Sequence, residues 1–505
     1  MRGLLVLTLL MATAGTAAAQ RPARPPTPRG QPTPTPQAQP SRPPVPAPQP
    51  ARACIVLVDS TGREMVGNKL PTGQYQVFAG GGVFGHCQND PTTKMDSDSF
   101  AWYADRSQLD LMGNVHFRDT TFTLAGDRVT YWTRQERLNA EGHVYTQNLR
   151  TRSDLRGPNL DYRRARPGVR DTVEMYATER PTIRFYSSRD TARTGAAGPE
   201  RAHGDSAEPF VIVAERARMK GNDQMWGGGN VTVDRSDMAA RGDSAMLDLA
   251  ANRGLLLGAR SANPVVTGKG GAEYRLTGVR LTFGLSDQHD LRRVLASGQA
   301  DARGPDWHLR ADTMDFALDS GKIQRTLAWG HTRRPDAVSS TYTIVADSLD
   351  IFMPAQVVRD VWAFRGARAT TRPDTTVTED DWMTGDTLHA VFLPPDTARA
   401  DSGATRDSGT TRKQQLERLL SFGRARALYH LTDDAKPTEP PGVNYNRGSR
   451  IAIRMREGKV HTVDVVGQVD GVYLEPIPSR PAADSTRAPG DTTAARRTPP
   501  PETRP

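Results

Sequence analysis

The chain has 505 residues, of which only 36% are hydrophobic, with 45 Gly and 38 Pro, a poor composition for one large globular core and a good one for turn-rich β structure. Its formal charge of +9 argues for a nucleic-acid partner only until it is located: Arg2, five arginines in residues 20–52 and a surplus of two in 477–505 hold all but about +1 of it. The long body is nearly neutral, so the basic patch expected of a nucleic-acid binder is not indicated.

Residues 1–19 read as a secretory signal peptide: Arg2, the apolar run "LLVLTLLMATAG", and Ala17-Ala18-Ala19 as a small-residue cleavage site. The run is too short for a membrane span, and no later segment qualifies, so no transmembrane segment is expected in the mature chain. Residues 20–52 are proline-rich and aromatic-free and predict an extended disordered linker, as do residues 477–505 at the other end.

Residues 53–95 predict an N-terminal β segment holding the two cysteines, Cys54 and Cys87. In an oxidising compartment they are a candidate disulfide, the alternative being two buried thiols.

From residue 96 onward the apolar residues alternate with period two, and long helical periodicity is almost absent. Residues 96–190 and 209–476 are expected to hold the β repeats, interrupted by polar insertions at Ser188–Glu208, Arg372–Asp380 and Pro394–Lys413. "TRKQQLERLLSF" has a short helical look and is read as a strand entrance or a brief helical turn.

One phrase recurs: a small residue, an acid, then two apolar residues two and four places on. It is clearest in "GDRVTYWTRQERLNAEGHV", where Asp127 precedes Val129 and Tyr131. Asp243, Asp312, Asp347 and Asp386 begin similar phrases, and Asp105 a weaker one. Before several of these acids the alternation runs in the opposite phase (Phe122 and Leu124 before Asp127), which swaps the sheet face unless the backbone bends. Each phrase therefore predicts a strand bent at its acid, and recurrence predicts stacked rungs with an apolar interior between two facing sheets.

These residues resemble the organic-solvent-tolerance (OstA), LptA-like family of lipopolysaccharide transport. The likeness rests on "ADRSQLDLMGNVHF", "LAGDRVTYWTRQERLNAEGHV", "WGGGNVTV" and "VVGQVDGVYL". It implies an all-β fold, an elongated β-jellyroll of bent strands with open ends. It also implies a periplasmic protein, associated with the outer membrane, whose groove shields the acyl chains of lipopolysaccharide or a related glycolipid. Head-to-tail contact with other β-jellyroll transport components follows from the same likeness. The chain is longer than the compact family members and could be one long jellyroll or two fused ones.

The expected lipid groove comprises Leu109, Leu111, Val115, Phe117, Phe122, Leu124, Val129, Tyr131, Leu138 and Val144, the densest alternating apolar set. The same residues would equally fill an ordinary core. The acids at the corners read as structural, because an active site does not repeat at every rung. No nucleophile elbow, phosphate loop or dinucleotide fingerprint is present, and the ten histidines form no ligand spacing, so no enzyme, metal or cofactor is expected. The competing readings are an exported structural or adhesive β-solenoid without lipid cargo and, behind it, a polysaccharide-acting β-helix enzyme.

Overall fold

A computed structural model describes residues 56–88, 90–166, 168–186, 208–371, 379–393, 415–431, 440–456 and 459–475. Contacts divide the chain into Met1–Pro50 and Ala51–Pro505, and every described residue belongs to the second unit. The expected signal peptide, the linker, the C-terminal tail and the insertions at 188–207 and 394–413 lie outside the described residues.

The described fold is all-β, with one three-residue 3-10 turn, Pro354–Gln356. In chain order, β1 (Val56–Thr61) and β2 (Val66–Lys69) precede six bent strands: β3 (Tyr75–Cys87), β4 (Asp90–Tyr103), β5 (Gln108–Arg118), β6 (Phe122–Trp132), β7 (Arg137–Asn148) and β8 (Asp154–Arg163). Then come β9 (Glu174–Thr178), β10 (Thr182–Phe185), β11 (Phe210–Val213), β12 (Arg216–Lys220), β13 (Gln224–Asp234), β14 (Met238–Asp248), β15 (Arg253–Leu257), β16 (Val265–Gly268), β17 (Tyr274–Thr277) and β18 (Arg280–Leu285). The series closes with β19 (Leu291–Arg303), β20 (Trp307–Asp319), β21 (Lys322–Trp329), β22 (Asp336–Ser339), β23 (Tyr342–Val345), β24 (Ser348–Phe352), β25 (Asp360–Thr371), β26 (Asp381–Phe392), β27 (Leu416–Leu431), β28 (Gly442–Arg456), β29 (Lys459–Val466) and β30 (Asp470–Leu474).

Fourteen of these strands run unbroken through a bend, and the other sixteen form eight pairs split at the bend, giving twenty-two rungs. All pairings are antiparallel, and each rung gives one half to each of two arms. In β7, residues 137–141 pair with 128–132 of β6 on one arm, while 145–148 pair with 122–125 on the other. β27, expected as a strand entrance or helical turn, is strand from Leu416 onward. β10 pairs directly with β11, Phe185 opposite Phe210, so the ladder continues across the polar stretch that separates them in sequence.

The bend has a repeating construction. One strand carries two consecutive left-handed residues, and its neighbour carries an acid, except opposite Gly298, where Val279 takes that place. Gly113-Asn114, Gly142-His143, Gly229-Asn230, Gly298-Gln299 and Gly423-Arg424 all have φ between 44° and 78°, and the pairing register slips at each. A bulge of this kind swaps the buried phase, so the same side of the chain stays inside after the turn.

Residues facing inward from both arms form the core. It packs as two apolar clusters, one from Ala79 to Leu249 and one from Met238 to Ile453, and Val233, Ala245 and Leu285 touch both. Hydrogen bonding is continuous across the junction.

Candidate functional site

Asp127 sits at the bend of β6, where its carboxylate meets His143 Nδ1 at 2.8 Å. Asp312 lies between the arms of β20 and accepts N–H bonds from Thr332 at 2.8 Å and Arg333 at 3.1 Å. Those bonds, the Arg333 N–H first, hold its carboxyl below the usual carboxylate range. Asp347 joins β23 to β24 and pairs with Arg334 at 2.9 Å, and Asp386 bends β26 and pairs with Arg424 at 2.6 Å. Asp243 bends β14 between residues paired to β16 and to β15. Asp105 differs: it lies in the turn between β4 and β5, and the bend of that rung is at Asp98, which accepts from Asn114 Nδ2 at 2.9 Å. Asp98, Asp127, Asp312, Asp347 and Asp386 bond neighbours across the bend.

The ten expected groove residues all face inward and pack together. Leu109, Val115, Phe122, Leu124, Val129, Leu138 and Val144 are at most 2% exposed, and Leu111, Phe117 and Tyr131 at most 6%. Phe117 stacks on Phe122 at 5.4 Å between ring centres, and Phe122 lies 4.2 Å from Tyr162. In this conformation they form a filled core rather than an open groove. Burial, helped by Glu136, pushes the Tyr131 hydroxyl well above its ordinary value.

The free ends of the two arms meet over this core. Asp119, in the β5–β6 turn of one arm, accepts Arg164 Nη2 of the other at 2.5 Å, and Arg164 also lies 3.6 Å from Glu136. Asn148 Nδ2 donates to Asn222 Oδ1 at 3.0 Å. Further along, Arg235 donates to the His289 carbonyl at 2.5 Å and reaches Asp290 at 3.4 Å. Gly270 and Gly321 close the next stretch, where a Cβ on Gly270 would lie 2.6 Å from the Gly321 Cα.

Between the arms at β23–β29 lies a small, solvent-open apolar cleft, with about 40 Å³ of cavity volume, bounded by Tyr342 and Ile344 on one arm, Phe392, Leu416 and Leu419 on the other, and Met455 toward the last rungs. Tyr342 and Phe392 meet edge-to-face at 5.8 Å across it. Asp381 supplies a carboxylate at its rim; His430 Nδ1 bonds Asp381 Oδ1 at 2.6 Å, and the His430 backbone N–H donates to the same oxygen at 3.0 Å. Burial nevertheless pushes the Asp381 carboxyl up. Sequence reasoning missed this cleft, because its residues alternate like every other rung and nothing local marks a less filled interior.

Cys87 is disulfide-bonded and 2% exposed. Cys54 lies outside the described residues. Val56, two residues from Cys54 in sequence, pairs with Cys87. Among the described residues no cluster of metal-ligating side chains occurs, and no helix is long and apolar enough to cross a membrane.

These features define a class: an all-β ladder of bent strands whose two arms enclose an apolar interior, filled along one stretch and cleft along another. Compared with known proteins, the chain matches no family model and no curated sequence.

Proposed function

We propose that the protein is an exported, periplasmic lipid carrier that shields acyl chains of lipopolysaccharide or a related glycolipid between its two arms and passes them toward the outer membrane. The observation that carries this reading is the apolar cleft at β23–β29, which offers hydrocarbon surface between the two arms. Apolar chains enter such a site because roughly 25 cal/mol is gained per Å² removed from water. The corner-and-bulge rungs, read in sequence as resembling the OstA family, support the same reading.

The test is a photo-crosslinking residue placed in cells at Met383 or Leu419, both lining the cleft, with Arg426 on the outer face as control. Capture of glycolipid at the two cleft positions and not at Arg426 supports the carrier. Equal labelling at all three, or none at any, overturns it. The filled core at Leu109–Val144 favours a second reading, a structural β-solenoid without cargo, and an absence of labelling would leave that one standing.

A further inference from the structure

We propose that Arg164 is the pin of a releasable clasp, which holds the two arms shut over the N-terminal core and gates that interior.

The clasp is built from three turns. Asp119 Oδ1 accepts the Thr121 N–H at 2.6 Å, the Thr121 hydroxyl at 2.7 Å and the Phe122 N–H at 2.8 Å, which fixes the β5–β6 turn. Its other oxygen, Oδ2, is left for Arg164. Arg164 follows the last residue of β8, and its backbone N–H donates to the Glu136 carbonyl at 2.9 Å. Glu136 Oε2 accepts the Tyr131 hydroxyl at 2.9 Å and lies beside the guanidinium. One cation therefore joins a turn of one arm to two segments of the other, directly above Phe122, Tyr131 and Tyr162.

The burial is uneven, and that makes the clasp releasable. The Asp119 side chain is 3% exposed, while that of Arg164 is 31% exposed. The buried carboxylate depends on the arginine, since a buried charge without its partner is strongly disfavoured. The arginine keeps one side open to solvent, where an anion can compete for it. No β-ladder pairing joins β5 or β6 to the end of β8, so separation there breaks side-chain bonds and spares the ladder. The Arg235 clasp is constructed alike but holds its side chain at 9% exposure, and it is the tighter of the two.

The physiological use of this gate rests on the carrier reading; the gate itself does not. Hydrogen exchange followed by mass spectrometry on the full chain tests it without any lipid. In Arg164→Met, amides of β6 and β7 should exchange at least tenfold faster, those of β19 and β20 should be unchanged, and 1-anilinonaphthalene-8-sulfonate fluorescence should rise. Arg164→Lys should fall between. Asp119→Asn combined with Arg164→Met removes the buried aspartate charge together with its cation, while Glu136 keeps the Tyr131 hydroxyl, so it tests the gate should the single variant fail to fold, and it should show the same local opening. Exchange in β6 and β7 indistinguishable from the parent protein, or acceleration spread evenly over both core clusters, overturns the clasp.

Discussion

Gly142 faces Asp127 across the bend of neighbouring strands so closely that a Cβ on Gly142 would lie 2.8 Å from the Asp127 Cβ. Gly142 also has a φ of +72°, which L side chains rarely adopt. The acid and the glycine are therefore two halves of one device: the left-handed residue makes room, and the carboxylate fills it.

Gly142→Ala should cost about 1–3 kcal/mol, from backbone strain and the clash together. Combining it with Asp127→Gly should recover part of the loss, because the clash disappears while the φ strain remains. Urea unfolding of the single and double variants checks this; additive losses would show that the two residues do not share a device.

The bends were readable where the acid follows Gly or Ala and the apolar phase changes, as at Asp127, Asp312 and Asp347. Asp105 misled, because "ADRSQLDL" carries the same local phrase while serving a hairpin turn; the true bend follows Ser97 in a polar run, "DSDSF", that lacks the signal. The inward face of the groove residues was legible from alternation alone. Whether that face is filled was not, since filling depends on what the opposite arm brings, and Tyr162 meets Phe122 from 40 residues away. The clasp was hidden for the same reason: Asp119 and Arg164 are 45 residues apart and meet only once the arms have folded.

The disulfide has a direct readout. The bridge expected between Cys54 and Cys87 closes a loop of about 34 residues, which the chain-entropy relation values at about 4 kcal/mol. Cys87→Ser should therefore lower the unfolding midpoint, with the loss concentrated in β1–β3. Thiol titration of unreduced, denatured protein should find no free thiol, and two would refute the bridge.

Asp161 sets a pH dependence. Burial pushes its carboxyl up, but hydrogen bonds from Arg163 and Arg137, the latter at 2.7 Å, outweigh this and leave it below the usual range. A depressed carboxylate stabilises the fold above its unfolded value, near pH 3.9, and that contribution is lost as pH falls through the lower, folded value. Both arginines are more than a third exposed, so the contribution is discounted to about 1 kcal/mol. Asp161→Asn should lower the thermal midpoint at pH 7, and the gap should close once the pH has fallen through the depressed folded value. A gap that persists there would assign the effect to packing.

The two ends of the ladder set the last prediction. Among the described residues β29 and β30 each pair with β28 on one side only, and Val466, Val469, Val472, Tyr473 and Leu474 are 51–59% exposed. At the other end β1 and β2 pair, among the described residues, only with β3, and Leu57, Met65 and Val66 are exposed. Unpaired strand edges bearing apolar side chains recruit further strands. The two ends differ in sequence, so joining one to the other is heterologous and propagates head to tail rather than closing as a symmetric pair. Sedimentation of the full-length protein should show concentration-dependent growth, or cells should yield crosslinks through residues 460–473 to a related β partner. Val465→Pro should weaken that association at least tenfold, because proline disrupts the strand that forms the edge, while β3–β8 keep their exchange protection. A strictly monomeric profile at high concentration, with no crosslinks through the edge, would remove the bridging role and leave the cleft to act alone.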